Sequence, residues 1–391
     1  MNRKVTISDT KITKRHIELV NNVLKSGRLT YGPMSKKFEN KWAKLHDRKY
    51  AIFCNSGTSA LQVSIHAMKI KYGWKDGAEV IVPTITFPAT INSVIHNNLK
   101  PVFADVRLRH FDIDPKRISE NINYKTVAII PVDMFGESCR MPDIMEIAKK
   151  NDLKVIEDAC ETAIVNCLRK PVGSMSDVSC FSTYFSHIVS TGVGGFVTTN
   201  DDDLALIIKS LIYHGRDQIY LKMDDDNVPK ENLFSVVQRR FSFKYIGYSF
   251  RATELEAALG LAELERAKDM LEKRKRNAEL YTQLLKPLGK FLLPRPRYSS
   301  EHAWMFYPIL LKQQYEKSRN KLVRFLEENG IETRYLMPIT NQPVYKDFFL
   351  TKSYPVAERI NRAGFLIGCH PFLSKNDILY AADKMEEFFN A

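Results

Sequence analysis

No lysine occurs between Pro171 and Ile208, although lysine and arginine together number 58 in the 391 residues. Chemistry carried by that stretch cannot use a lysine amine to form a covalent link to a carbonyl. C-x-x-C and C-x-C pairs are also missing. The six cysteines stand at 54, 139, 160, 167, 180 and 369, a spacing that argues against a zinc or iron–sulfur site and fits free buried thiols in a reducing compartment. No apolar run approaches the ~20 residues needed to cross a bilayer. The opening stretch, MNRKVTISDTKITKRH, lacks the apolar core of a secretory signal, so a cytoplasmic location is expected. Internal repeats and low-complexity segments are absent.

The chain is 44% hydrophobic and 26% charged, the balance of an ordinary globular protein long enough for two domains. Its formal net charge is +13. That raises nucleic acid as a partner. The basic residues are dispersed, however, and groups such as Glu272–Arg276 read as a solvated helix face. Neither nucleic acid nor membrane is expected as a partner. A basic surface also suits a small substrate bearing two phosphates.

Short β-branched runs alternate with amphipathic stretches. Ala51–Cys54, Glu79–Val82, Val102–Ala104, Val127–Val132, Lys154–Ile156 and Phe196–Thr199 read as strands; Thr58–Ile70, Thr86–His96, Met141–Asn151 and Asp203–His214 read as helices. The alternation predicts an α/β domain with a largely parallel sheet and helices on both faces. Ligands of such sheets sit at the carboxyl ends of the strands, where Asn55–Thr58, Thr84–Phe87, Asp158 and Ser182–His187 fall. Thr253–Lys286 reads as a long helix. After Pro287 the pattern changes to a smaller α+β domain. The expected division is 1–265 and 266–391.

Four segments carry chemistry. Asn55-Ser-Gly-Thr-Ser-Ala-Leu61 follows a strand and opens a helix, so it aims backbone amides at an anion, although an ordinary helix N-cap would read the same. Val155–Glu161 ends a strand in carboxylates, Asp158 and Glu161 among them. Thr84-Ile-Thr-Phe87 places an aromatic ring after another strand. Cys180–Gly195 reads C-F-S-T-Y-F-S-H-I-V-S-T-G-V-G-G.

The last segment resembles the cofactor-lysine motif of the DegT/DnrJ/EryC1/StrS sugar aminotransferases, F-S-x-x-x-x-K-x-x-x-x-G-E-G-G, with His187 in the lysine's place. The resemblance runs from Gly27–Pro33 and Phe38-Glu39 to Tyr354–Arg359, nearly the whole chain. It implies the fold type I of enzymes that depend on pyridoxal phosphate: a mainly parallel seven-stranded sheet flanked by helices in the large domain, with a smaller α+β C-terminal domain. It implies pyridoxal 5′-phosphate or pyridoxamine 5′-phosphate as cofactor. Gly57, Thr58, Ser59 and Ser182 would hold the phosphate, Asp158 the pyridine nitrogen, and Phe87 the ring face. Glu161, where most members carry glutamine, would lie beside the cofactor hydroxyl. Ser249, in Gly247–Gly260, replaces an asparagine that reaches the partner subunit's phosphate, which implies a homodimer with shared active sites. Arg251, Arg334 and His370 are candidate contacts to substrate or L-glutamate. Val193 replaces the motif glutamate.

Histidine in the lysine position is similar to the nucleotide-sugar 3-dehydratase branch, in which two histidines usually stand together; here the second is Ile188. A histidine cannot form the lysine's Schiff base, but it moves protons near neutral pH. The resemblance therefore implies removal of the C3 hydroxyl of a nucleotide-linked 4-keto-6-deoxyhexose in deoxysugar or lipopolysaccharide O-antigen synthesis, by the cluster-free, colitose-type chemistry. His187 would be the base and acid, Asp158 the partner of the electron-withdrawing ring, and L-glutamate the donor that regenerates the amine cofactor. A nucleotide-sugar aminotransferase and a catalytically inactive cofactor-binding homologue are the alternatives.

Overall fold

The computed structural model describes residues 5–217, 229–239, 241–298, 300–336, 339–348 and 353–390. Strands β1 (Tyr50–Cys54), β2 (Glu79–Pro83), β3 (Lys100–Ala104), β4 (Thr126–Ile129), β5 (Lys154–Asp158), β6 (Val178–Ser182) and β7 (Gly195–Thr199) form one sheet, ordered β1-β7-β6-β5-β4-β2-β3. Strands β2 to β6 pair in parallel, and β7 lies antiparallel between β6 and β1. This is the mainly parallel seven-stranded sheet that the resemblance implies.

Both faces are covered, and the period of two in each strand explains why. Ile52, Val80, Val82 and Ile156 join a core with helices α3 (Gly57–Tyr72), α4 (Pro88–His96) and α7 (Asp202–Ile212), while Ala51, Phe53, Ile81 and Val155 point to the other face. That second face meets α1 (Lys14–Ser26), α2 (Pro33–Leu45), α5 (Pro115–Asn121), α6 (Met141–Lys150) and a long helix. Trp42 stacks on Phe196, with ring centroids 4.5 Å apart. Phe38 packs edge-on to Trp42, Phe53 and Phe196.

Helix α8 (Lys230–Arg239) precedes the long helix α9 (Glu254–Leu285). A Cβ added at Gly260 of α9 would run into the Phe38 ring. The motif glycine is therefore a packing requirement, strong enough to override its poor helix propensity. Helix α9 packs its first part on α1 and α2 and its later part on the last helix, α12 (Lys375–Asn390). The expected division at residue 265 falls inside it.

The small domain has an antiparallel sheet of β8 (Phe291–Leu292), β9 (Phe306–Leu311), β10 (Thr333–Arg334) and β11 (Gly364–Gly368), ordered β8-β9-β11-β10, with α10 (Arg319–Glu328), α11 (Pro355–Ala363) and α12 against it. The mostly apolar stretch His302–Leu311 enters the sheet only at Phe306. Its earlier backbone is used elsewhere, since Ala303 and Met305 N–H donate to Gly136 and Phe135 carbonyls of the large domain at 2.7 and 3.0 Å. The carboxylate of Asp105, just beyond β3, accepts the Val356 and Ala357 N–H groups at 2.9 and 3.0 Å. It caps α11 across the domain seam. The Ile339 N–H donates to the Thr84 carbonyl at 3.0 Å. These bonds fix the small domain against the carboxyl ends of β2 and β3.

Candidate active site

The strand ends bring the expected residues together. Beyond β1, Ser56 caps α3 and accepts the Ser59 N–H at 3.0 Å. The Gly57 and Thr58 amides lie in the first helical turn, where no intrahelical acceptor exists. Free amides at a helix start are the kind of group that can receive an anion. A Cβ on Gly57 would sit 2.7 Å from Ser182 Cβ and 2.8 Å from Cys160 Sγ. Glycine alone lets the turn press against the end of β6, with the Ser182 side chain beside it. Thr58 is exposed and Ser59 buried, its hydroxyl accepting from Ser56 Oγ at 2.9 Å. A cavity of about 540 Å³, lined by Thr58, Ser59, Gln62, His96, Tyr248 and Phe250, opens next to this turn.

Asp158 ends β5 and is 3% exposed. Its Oδ1 accepts the Cys160 N–H at 3.2 Å and its Oδ2 the Thr90 hydroxyl at 2.7 Å. Among the described residues, no lysine, arginine or histidine forms an ion pair with it. Burial pushes its pKa up. A buried carboxylate without a cation is costly, and a protonated pyridine nitrogen would supply the missing charge. Phe87, the N-cap of α4, stands 53% exposed, so its ring is free to cover a flat ligand. An amide-lined anion turn, an unpaired buried carboxylate and an uncovered ring together fit pyridoxal phosphate.

Glu161 accepts the Phe135 N–H at 2.9 Å through Oε2. Burial, reinforced by Asp158, pushes it up to about 7. In the unfolded chain its ordinary value is 4.5, so the folded state holds more protons between these two values. Stability contributed by the protonated form is therefore lost as pH rises through that window. Glu161→Gln is expected to stabilise the cofactor-free protein at pH 8 by up to about 3 kcal/mol, with the gain vanishing at pH 4. Thermal unfolding of both proteins at the two pH values checks this.

His187 follows β6 in a turn, with its N–H on the Tyr184 carbonyl at 2.9 Å. Its ring is half-buried and lies edge-on to Tyr184, centroids 6.0 Å apart. Nδ1 is buried and, among the described residues, has no hydrogen-bond partner of normal geometry. Burial pushes the imidazole down to about 4, and the positive charge of Arg274 acts in the same direction. The folded protein thus holds a neutral imidazole at pH 7, in the form that can accept a proton. Ile188, at the place of the dehydratase branch's second histidine, is 7% exposed and packs in the core with Phe181 and Val189. Val193 is 50% exposed.

Ser249 and Arg251 lie beside the free edge of β1, where Arg251 pairs with Cys54 and Ser249 with Tyr213. Both side chains are exposed, and Arg251 Nη2 donates to Ser249 Oγ at 3.0 Å. Arg334 is exposed on edge strand β10, with Nη1 on the Thr333 carbonyl at 2.7 Å. It stands five residues before the Ile339 contact to Thr84. His370 is 3% exposed, with Nε2 hydrogen-bonded to Thr6 Oγ1 at 3.0 Å. A ligand contact there would require this packing to open.

Two groups in the cluster escape the sequence motifs. Thr90 meets Asp158 only because α4 begins at Pro88 and turns it inward. The Phe135 N–H reaches Glu161 through a backbone loop. The spacing of Thr90 three residues after Phe87, one helical turn, was the available signal.

A family profile described as "DegT/DnrJ/EryC1/StrS aminotransferase family" matches residues 10–386. The chain is 34% identical over 344 residues to a GDP-perosamine synthase of Caulobacter vibrioides, covering 88% of this chain and 86% of that one. It is 30% identical over 380 residues to a dTDP-4-dehydro-2,6-dideoxy-D-glucose 3-dehydratase of Saccharopolyspora spinosa, covering 92% and 81%. In fold it is similar to the E. coli GDP-4-keto-6-deoxy-D-mannose-3-dehydratase solved with bound hydrated PLP: TM-score 0.90, 24% identity, 98% of this chain and 100% of that one.

Proposed function

From the premise that the chain belongs to the DegT/DnrJ/EryC1/StrS aminotransferase family and depends on pyridoxal phosphate, we propose that it is a dehydratase. Its substrate would be a nucleotide-linked 4-keto-6-deoxyhexose, from which the C3 hydroxyl is removed, and L-glutamate would restore the amine form of the cofactor. The observation that carries this reading is His187: an imidazole held neutral by burial at the place where the motif has its lysine.

The cofactor in its amine form supplies an amine for the C4 ketone and a ring that accepts electrons. The protein's groups do the rest. Gly57 and Thr58 amides, with Ser59 and Ser182, hold the phosphate. Asp158 keeps a proton on the ring nitrogen. Phe87 covers the ring and excludes water from one face. Glu161, raised by burial to about 7 and so partly protonated near neutral pH, would hydrogen-bond the ring hydroxyl. His187 takes a proton from the C4′ carbon as a base and, once charged, returns it to the departing C3 oxygen. Its low pKa leaves it unprotonated at pH 7, and once it has accepted that proton it is a ready acid. Arg251, Arg334 and His370 are proposed contacts for substrate or glutamate. Ser249, exposed beside β1, is proposed to reach the phosphate of a second subunit in a homodimer.

The test is incubation of the purified protein with PLP, L-glutamate and a panel of nucleotide 4-keto-6-deoxyhexoses, read by mass spectrometry. A sugar lacking one oxygen, with ammonia and 2-oxoglutarate formed, is the expected result. An amine in place of the ketone overturns it in favour of an aminotransferase, the activity named for the Caulobacter relative. Failure even to convert PLP to its amine with glutamate favours an inactive homologue.

A further inference from the structure

The threonines beneath the Asp158 carboxylate form a buried hydrogen-bonded chain that no motif reading assigns. Thr86 and Thr90 are both 0% exposed. Their hydroxyls are 2.7 Å apart, and Thr90 Oγ1 is 2.7 Å from Asp158 Oδ2. Thr86 Oγ1 also lies 3.4 Å from the Phe87 carbonyl. Asp158 when ionised can only accept, so the Thr90 proton must point to it. Thr90 is then left with lone pairs, and the Thr86 proton completes the chain. The Cys160 N–H holds the other carboxylate oxygen at 3.2 Å. The carboxylate is thus gripped at both oxygens, and its plane is set before any ligand arrives.

We infer that Thr90 is a positioning residue for the cofactor: its hydroxyl fixes the rotamer of Asp158 and favours its ionised form, so that the carboxylate meets the protonated pyridine nitrogen in line. The inference rests on the reading of Asp158 as the ring nitrogen's partner. Thr86 acts one step further back by orienting the Thr90 hydroxyl. The physical cause is that a hydrogen bond to a charged acceptor in a dry site stabilises the charged form strongly. Valine has threonine's shape without its hydroxyl, so Thr90→Val removes the bond while filling the same space.

The experiment titrates PLP into cofactor-free wild type, T90V, T90S, T86V and D158N. It reads affinity by absorbance and then the midpoint of the bound cofactor's absorbance change with pH. T90V is expected to bind about tenfold more weakly, since ~1.4 kcal/mol is a factor of ten, and to show its midpoint moved to lower pH. T90S should behave as wild type, and T86V should show the same changes at smaller size. Wild-type affinity and midpoint in T90V, alongside loss of both in D158N, overturn the role of Thr90. An unchanged midpoint in D158N overturns the reading of Asp158 itself and this inference with it. Should T90V fail to fold, T90A against T90S decides in the same way.

Discussion

Replacement of His187 by asparagine is expected to lower turnover about 10²–10⁴-fold, the usual contribution of a positioned general base and acid. PLP affinity and the fold should change little. The reason is structural: among the described residues no side chain hydrogen-bonds to the His187 ring, so asparagine breaks no side-chain pair. Asparagine retains a polar side chain of similar reach but cannot accept and return a proton. The measurement is the rate of oxygen loss from the nucleotide sugar, set beside a PLP titration of the same protein. Equal turnover in H187N would remove His187 from the chemistry. Weakened PLP binding with turnover restored at saturating cofactor would make it a holding group. The pH profile provides a second check. His187 is depressed to about 4, so its neutral form is present above that value and is lost as pH falls through it. The acid side of the rate profile should show no break at the ordinary histidine value of about 6.5.

Asp158→Asn is expected to have the other large effect. The side chain keeps its shape and loses its charge. Breaking a buried ion pair by removing one partner costs about 3–5 kcal/mol, so affinity for the charged-ring form of the cofactor should fall by more than a hundredfold. Turnover should fall with it even at saturating PLP, because the ring nitrogen is no longer held protonated. The effect on the cofactor-free protein has the opposite sign. Burial disfavours the Asp158 carboxylate when no cation is present, so the neutral asparagine should leave unfolding stability equal or raised. Stability retained while PLP binding collapses would separate a cofactor role from a structural one. Joint loss of stability and binding would assign Asp158 to the scaffold.

Much of this arrangement is legible in the sequence because it is local. The short apolar runs Ala51–Cys54 and Glu79–Val82 mark strands buried on both faces. The Ser56-Gly57-Thr58 turn declares a helix start that can hold an anion. Asp158 stands at the end of a β-branched run, and His187 occupies a lysine's place within kept spacing. Each signal lies within one turn or one strand, where backbone geometry alone relates the residues.

Other features depend on groups far apart in sequence. Thr90 became part of the site only when α4 folded against the end of β5, since its bond to Asp158 joins residues 68 positions apart. Gly57 has its meaning from Ser182 and Cys160, and Gly260 from Phe38. The low pKa of His187 and the high pKa of Glu161 come from burial, which no local pattern specifies. His370, a candidate contact by motif, is packed on Thr6 at the other end of the chain. What the sequence by itself determined was the set of reactive groups and their order on the strand ends, because short-range periodicity and turn chemistry act between neighbours. The tertiary structure alone decided which of those groups meet, which are dry and which proton each one holds, because desolvation and hydrogen bonding depend on whatever the fold packs around them.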